Sequence, residues 1–152
     1  MAFYQPEIPD TQIFIDADAS GGDHLNNYNA FAYHLALDNQ VVDIGPNEAG
    51  EAVPQLYNDH VENKWQRDIL APHKIHWEAA VRVFDDSYQH GKDNSPVTLK
   101  EGMTLGFMLA YCDADGGDRE HFLGSHEITP VNGDKNLGYK DASVFGKVKL
   151  TK

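Results

Sequence analysis

Apolar and polar residues alternate along most of the chain, and this period of two predicts strands rather than helices. The longest alternation covers residues 73–83 and predicts a strand with one apolar face, on which Trp77 lies. Shorter runs of the same kind predict further strands at 12–15, 28–37, 41–44, 104–112, 119–124 and 144–150. Residues 55–70 differ, because their apolar residues stand four apart, which is a helical spacing. A short helix and a loop both remain open for that segment.

Six or seven strands joined by loops rich in Gly, Asp and Asn are typical of an all-β protein. We therefore expect an antiparallel β-sandwich or jelly roll with little helix. The chain has 152 residues, which suits one domain over 1–152, and no shift in composition marks a boundary within it.

The charge of the chain argues against two classes of partner. It has 24 acidic and 12 basic residues, a net charge of −12, which repels nucleic acid and anionic membrane surfaces. No apolar run is long enough to span a membrane, and residues 1–10 lack the basic start of a signal peptide.

Two loops combine alternating aspartates with glycines, and each follows a predicted strand. Aspartates at alternate positions can direct several oxygens at one centre, and Ca²⁺ accepts oxygen ligands in irregular loops. The same residues are also common in turns that hold no metal. The candidate calcium ligands are Asp16, Asp18, Asp23, Asp113, Asp115 and Asp118.

Other residues that could carry chemistry have simpler explanations. Trp77 and the single cysteine, Cys112, are predicted to be buried in the core. Trp65 has polar neighbours, so it either contacts a ligand or covers one end of the sandwich. The eight histidines lack metal-site spacing, and no serine stands in a nucleophile motif, so the sequence predicts that the chain is not an enzyme.

Four segments in order, 10–23, 77–81, 102–115 and 136–146, resemble the conserved motifs of the family 9 carbohydrate-binding modules. In that family an acid precedes an apolar strand and an aspartate-rich glycine loop, as in 10–23. A strand with an internal glutamate follows, and a Phe-Gly strand closes the domain. The resemblance implies a jelly-roll sandwich, bound calcium and a sugar held between two aromatic rings.

Carried over residue by residue, the resemblance places Tyr139 where family members commonly have a stacking tryptophan. The second ring would come from the residues before Asp10, where the sequence offers no tryptophan. A family glutamate corresponds to Gln12, and a family arginine corresponds to Ala32. The sugar contacts implied in this way are Tyr139, Tyr4, Phe3, Gln12 and Asn136, with Trp65 as the further candidate.

Two functional hypotheses follow. The first is a non-catalytic, calcium-stabilised module that binds a carbohydrate by aromatic stacking. The second is an assembly protein that has lost the sugar site. The family usually has strands before the 10–23 segment, so the second hypothesis predicts a homo-oligomer formed through an uncovered sheet edge. Relatives of this family are usually secreted or periplasmic.

Overall fold

The computed structural model describes residues 10–71, 74–113 and 121–152. These residues form antiparallel strands and one short 3-10 helix, Ala142–Val144. They contain no helix that is long and apolar enough to span a membrane. The strands are β1 Asp10–Asp16, β2 Phe31–Leu35, β3 Val41–Pro46, β4 Ala52–Leu56, β5 Val61–Arg67, β6 Ile75–Val81, β7 Thr104–Asp113, β8 His121–Gly124 and β9 Gly146–Lys149.

Most of the strands belong to one seven-stranded sheet in the order β4-β3-β2-β1-β7-β8. Strand β9 pairs with the first half of β7, and β8 pairs with its last residues. Strands β5 and β6 form a separate two-stranded sheet. The prediction of an all-β antiparallel fold with little helix is confirmed.

Both faces of the large sheet are covered, and β1 shows this most clearly. Ile13 and Ile15 pack with Phe31 and Tyr33 of β2 in a cluster that also contains the partly buried Trp77 of the β5–β6 sheet. Phe14 points the other way and packs with residues of the segment that precedes β9. Burial on both faces explains why β1 is an almost continuous apolar run.

The helix-or-loop prediction for residues 55–70 is wrong. The segment contains the end of β4, a turn at 57–60 and the whole of β5. A spacing of four is a multiple of the strand period of two, so apolar residues four apart also fall on one face of a strand. Val61 is buried and Trp65 is partly buried on such a face of β5.

The other predicted elements are present with shifted ends. The hairpin between β2 and β3 turns at Asn39, which has a φ of 65°, and closes with a bond from the Ala36 N–H to the Gln40 carbonyl. Cys112 is buried, and Trp77 packs against the core, as predicted. The 73–83 alternation becomes β6, with His73 outside the described residues.

Strand β1 lies in the middle of the sheet, paired with β2 on one side and β7 on the other. The assembly hypothesis predicts contact through an uncovered sheet edge and names no strand for it. Among the described residues, the ends of the sheet are β4 on one side and β8 with β9 on the other.

Candidate functional site

One face of the large sheet carries a pocket of about 230 Å³, which we call the inner pocket. Its floor comes from four neighbouring strands, with two residues from β3 and one from each of β1, β2 and β4. Gln12 of β1 lies opposite His34 of β2, which lies opposite Val42 of β3, and Ile44 of β3 lies opposite Pro54 of β4. These residues share a face because side chains alternate along each strand.

The wall of the inner pocket is formed by Asn136 and Tyr139, which belong to the segment before β9. Asn136 is exposed and Tyr139 is half-buried, so both present side-chain surface to the pocket. The Lys140 ammonium lies 5.4 Å from the centre of the Tyr139 ring. This contact is a cation–π interaction and favours one position of the ring.

The polar groups of the floor are held by neighbours. Gln12 is only 2% exposed, and its amide nitrogen donates to the Cys112 sulfur at 3.0 Å. The His34 Nδ1–H donates to a carboxylate oxygen of Asp10 at 2.8 Å. Because each side chain is fixed in this way, the apolar pocket contains two oriented polar groups, which is the usual composition of a small-molecule site.

Tyr139 is positioned by the loop that follows β1. His24, 1% exposed, binds the carbonyls on both sides of Tyr139. Its ring Nε2–H donates to Gly138 O at 2.7 Å, and its backbone N–H donates to Lys140 O at 3.1 Å. The Ala142 N–H donates in turn to Gly22 O at 2.8 Å. The first acidic loop is therefore hydrogen-bonded to the segment that carries Tyr139 and holds it in place.

Gly138 lets this segment lie close to the sheet. A Cβ at this position would be 2.8 Å from a ring carbon of Phe14 and 3.0 Å from the terminal methyl of Met108. Phe14 is buried and cannot move away easily, so a larger residue here would lift the chain next to Tyr139.

Asp16 organises the first acidic loop from within. One carboxylate oxygen accepts from the backbone N–H of Asp18 at 3.1 Å and of Ala19 at 3.0 Å, and the other accepts from Gly21 at 2.8 Å. Burial raises the pKa of Asp16, and the bond from Gly21 opposes that rise. Ala19 and Gly21, whose amides donate to this carboxylate, both have positive φ.

In the first loop, the carboxylates of Asp16 and Asp23 accept hydrogen bonds from nearby amides. The Asp16 oxygens face backbone N–H groups, and Asp23 accepts from the Leu25 and Asn26 amides and from the Asn26 side chain. The described part of the chain contains no group of three His, Cys, Asp or Glu arranged to hold a metal ion. In the second loop Asp113 ends β7, whereas Asp115 and Asp118 lie outside the described residues. Calcium binding stays a prediction.

The remaining candidates fall into two groups. Gln12, Asn136 and Tyr139 come together in the inner pocket, whereas Phe3 and Tyr4 lie outside the described residues. Trp65 is not among the residues that line the pocket. Its ring packs against Trp77 with centroids 6.2 Å apart, and its Nε1–H donates to Leu37 O at 2.8 Å.

Sequence reasoning did not select four of the pocket residues: His34, Val42, Ile44 and Pro54. His34 is one of the eight histidines that lack metal-site spacing. The alternation of side chains along this strand could have indicated His34, since it lies on the opposite face from the apolar Phe31, Tyr33 and Leu35. The three apolar residues gave no signal, because isolated apolar side chains on a strand are normal.

Comparison with known proteins agrees with this architecture. The model of one family, described as carbohydrate family 9 binding domain-like, matches residues 10–152. The chain belongs to this family. Domains of the carbohydrate family 9 type are non-catalytic, so the prediction that the chain is not an enzyme is confirmed. A search of curated proteins found no match.

A solved structure of similar fold is that of a family 9 carbohydrate-binding module from Caldicellulosiruptor kristjanssonii in complex with glucose. The TM-score is 0.60 at 15% sequence identity, and the match covers 99% of this family 9 domain. It covers 63% of the solved chain, so our domain spans less than two thirds of that protein. At this identity the likeness shows the fold alone.

Proposed function

We propose that this family 9 domain binds a carbohydrate non-covalently in the inner pocket, with Tyr139 as the stacking surface. The observation that carries the proposal is the convergence of Gln12, Asn136 and Tyr139 on one concave surface. These three residues are separated by up to 127 positions in sequence, and the family resemblance implies each of them as a sugar contact.

The chemistry of the pocket supports a sugar ligand. A pyranose ring has apolar C–H faces and a rim of hydroxyls. The Tyr139 ring and the side chains of Val42 and Ile44 can cover a C–H face, while Gln12 and His34 can bind hydroxyls. The family membership and the glucose in the solved relative support the same ligand class.

The proposal is tested by isothermal titration with glucose and with a panel of other monosaccharides. Tyr139→Ala should weaken binding at least about tenfold, because it removes the aromatic surface. Tyr139→Phe keeps the ring and should bind nearly as well as the wild type. Trp65→Phe is the matched control, since this aromatic residue lies outside the pocket and its replacement should leave affinity unchanged.

Two results would contradict the proposal: a Tyr139→Ala variant that is folded and binds as well as the wild type, or a wild type that binds no sugar of the panel. The assembly alternative stays a prediction as well. It would gain support if the protein ignored all sugars and formed oligomers in size-exclusion chromatography with light scattering.

A further inference from the structure

We infer that the ligand is an aryl glycoside, because an apolar surface continues from the inner pocket to the edge of the sheet and suits an aromatic aglycone. This surface is one face of the paired strands β3 and β4, and we call it the aliphatic strip. Its six residues form three facing pairs, Val42 with Leu56, Ile44 with Pro54 and Pro46 with Ala52. The inference rests on the proposed function and deepens it by naming the group that the sugar carries.

The aliphatic strip is apolar although part of it is exposed. Ala52, Pro54 and Leu56 are the exposed residues of β4, and Leu56 is 58% exposed. Among the described residues, β4 ends the large sheet, and none of its residues is charged. Edge strands usually carry charged side chains that discourage unwanted contacts. An exposed edge without them indicates a surface that an apolar group covers.

The floor of the inner pocket changes from polar to apolar across the sheet. Its hydrogen-bonding residues, Gln12 and His34, belong to β1 and β2. Its residues on β3 and β4 are Val42, Ile44 and Pro54, whose side chains offer no hydrogen bond. A sugar hydroxyl that faced this half would lose its hydration and gain no partner. A ligand with hydroxyls at one end and an apolar group at the other matches both halves.

The size of the aliphatic strip favours an aromatic ring. Val42, Ile44, Pro54 and Leu56 form a rectangle of about 5 by 7 Å between Cα atoms, because neighbouring strands lie about 4.8 Å apart and alternate residues about 7 Å apart. One six-membered ring can cover such an area. A flat, rigid ring also loses less conformational freedom on binding than an alkyl chain does. The anomeric oxygen of a sugar is the ordinary point of attachment for such a ring.

Hydrogen bonds on the opposite face hold the aliphatic strip in position. The Gln55 side-chain amide donates to Gly45 O at 2.9 Å and to the Tyr28 hydroxyl at 3.1 Å. Just after β4, the Tyr57 N–H donates to Val41 O at 2.8 Å. The apolar surface is therefore arranged before a ligand arrives, which lowers the cost of binding.

The test compares the phenyl glucosides with the methyl glucosides, in both anomers, by isothermal titration of the full chain. The better phenyl glucoside should bind roughly tenfold more tightly than its methyl counterpart, because its ring buries apolar area on the aliphatic strip. Leu56→Ser should remove most of this gain and leave the affinity for the methyl glucoside unchanged, since Leu56 is not among the residues that line the inner pocket. Leu56→Met keeps an apolar side chain and should keep the gain.

Leu123→Ser is the matched control. Leu123 is also an exposed leucine, 65% exposed, but it belongs to β8 at the other end of the sheet. It lies opposite Tyr111, which lies opposite Thr11, so it is on the other face of the sheet from Gln12. Its replacement should leave the affinities for both kinds of glucoside unchanged.

The two proposals fail in different ways. If a monosaccharide binds in a Tyr139-dependent manner but neither phenyl glucoside binds more tightly than its methyl counterpart, the inference is overturned and the proposed function stands. The same holds if the gain survives in a folded Leu56→Ser variant, or if phenol alone binds as tightly as the phenyl glucosides. If the wild type binds neither a monosaccharide of the panel nor any glucoside, the proposed function fails and this inference fails with it.

Discussion

The position of Tyr139 depends on two residues that do not line the inner pocket, His24 and Gly138. His24 binds the carbonyls before and after Tyr139, so it fixes the backbone on both sides of the ring. Gly138 allows that backbone to rest on Phe14. Affinity at this site should therefore respond to substitutions that never touch the ligand.

His24→Ala should weaken sugar binding several-fold and lower the free energy of unfolding by about 1–3 kcal/mol, because it leaves the Gly138 carbonyl without its buried donor. His24→Gln places an amide N–H near the position of Nε2 and should recover part of both losses. Isothermal titration and urea unfolding measure the two effects. Equal affinity in the wild type and in a folded His24→Ala variant would show that the hydrogen bond from the His24 ring does not position Tyr139.

The sequence predicted individual pocket residues only where a family motif marked them. Gln12, Asn136 and Tyr139 were found because they lie in segments that resemble the family. The role of His24 could not be found, since its partners are backbone carbonyls 114 and 116 positions away. Backbone carbonyls are the same in every residue type and leave no trace in the sequence.

At the level of elements, the loop after β1 connects the central strand to the segment that carries Tyr139. Asp16 closes the loop onto itself, and Gly22 and His24 attach it to residues 138–143. Aspartates and glycines were recognised in the sequence as a loop signal, but their arrangement does not reveal whether the carboxylates face a cation or backbone amides. In the structure, backbone amides face the Asp16 carboxylate.

Asp16→Asn should lower the free energy of unfolding by about 1–3 kcal/mol, because one of the two acceptor oxygens becomes an NH₂ group that faces a backbone N–H. The loss should be equal in excess EDTA and in millimolar calcium, since the bonds that it breaks involve no metal. Urea unfolding under both conditions measures it. A wild-type protein that calcium stabilises, beside an Asp16→Asn variant that calcium does not, would instead support the calcium prediction at this loop.

The same limit applies to the segment that was predicted as helix or loop. Tyr57, Val61 and Trp65 are spaced so that they share a face in a helix and in a strand. The pairing of β5 with β6 decides between the two, and it joins Val61 to Val81 and Trp65 to Trp77. A long-range pairing of this kind is absent from any local window of sequence.

At the level of the whole molecule, an aromatic cluster joins the large sheet to the β5–β6 sheet. His60, which precedes β5, lies at its centre, with ring centroids 4.2 Å from Phe84 and 4.8 Å from Tyr57. Its Nδ1 is 2.7 Å from the Tyr33 hydroxyl. Burial among these rings lowers the pKa of His60 from 6.5 to about 4, because the charged imidazole loses its hydration.

This lowered pKa predicts that the fold loses stability in mild acid. The folded state binds a proton on His60 more weakly than the unfolded state does. The stability that comes from neutral His60 is therefore fully present above pH 6.5 and is lost as the pH falls from 6.5 to about 4. The loss should amount to about 3 kcal/mol. Urea unfolding across this range measures it in the wild type and in His60→Asn, whose amide oxygen can still accept from Tyr33. A variant whose stability falls as steeply as that of the wild type would assign the effect to other groups.

Side chains on the two faces of strand β3 have different roles. Val41 and Asp43 are buried, with Val41 in the core and the Asp43 carboxylate accepting from the Ala32 and Ile44 amides. Val42 and Ile44, between and after them, line the inner pocket. Randomising only these two positions would give a library of binders with altered ligand preference on an unchanged scaffold, in which most members should remain folded.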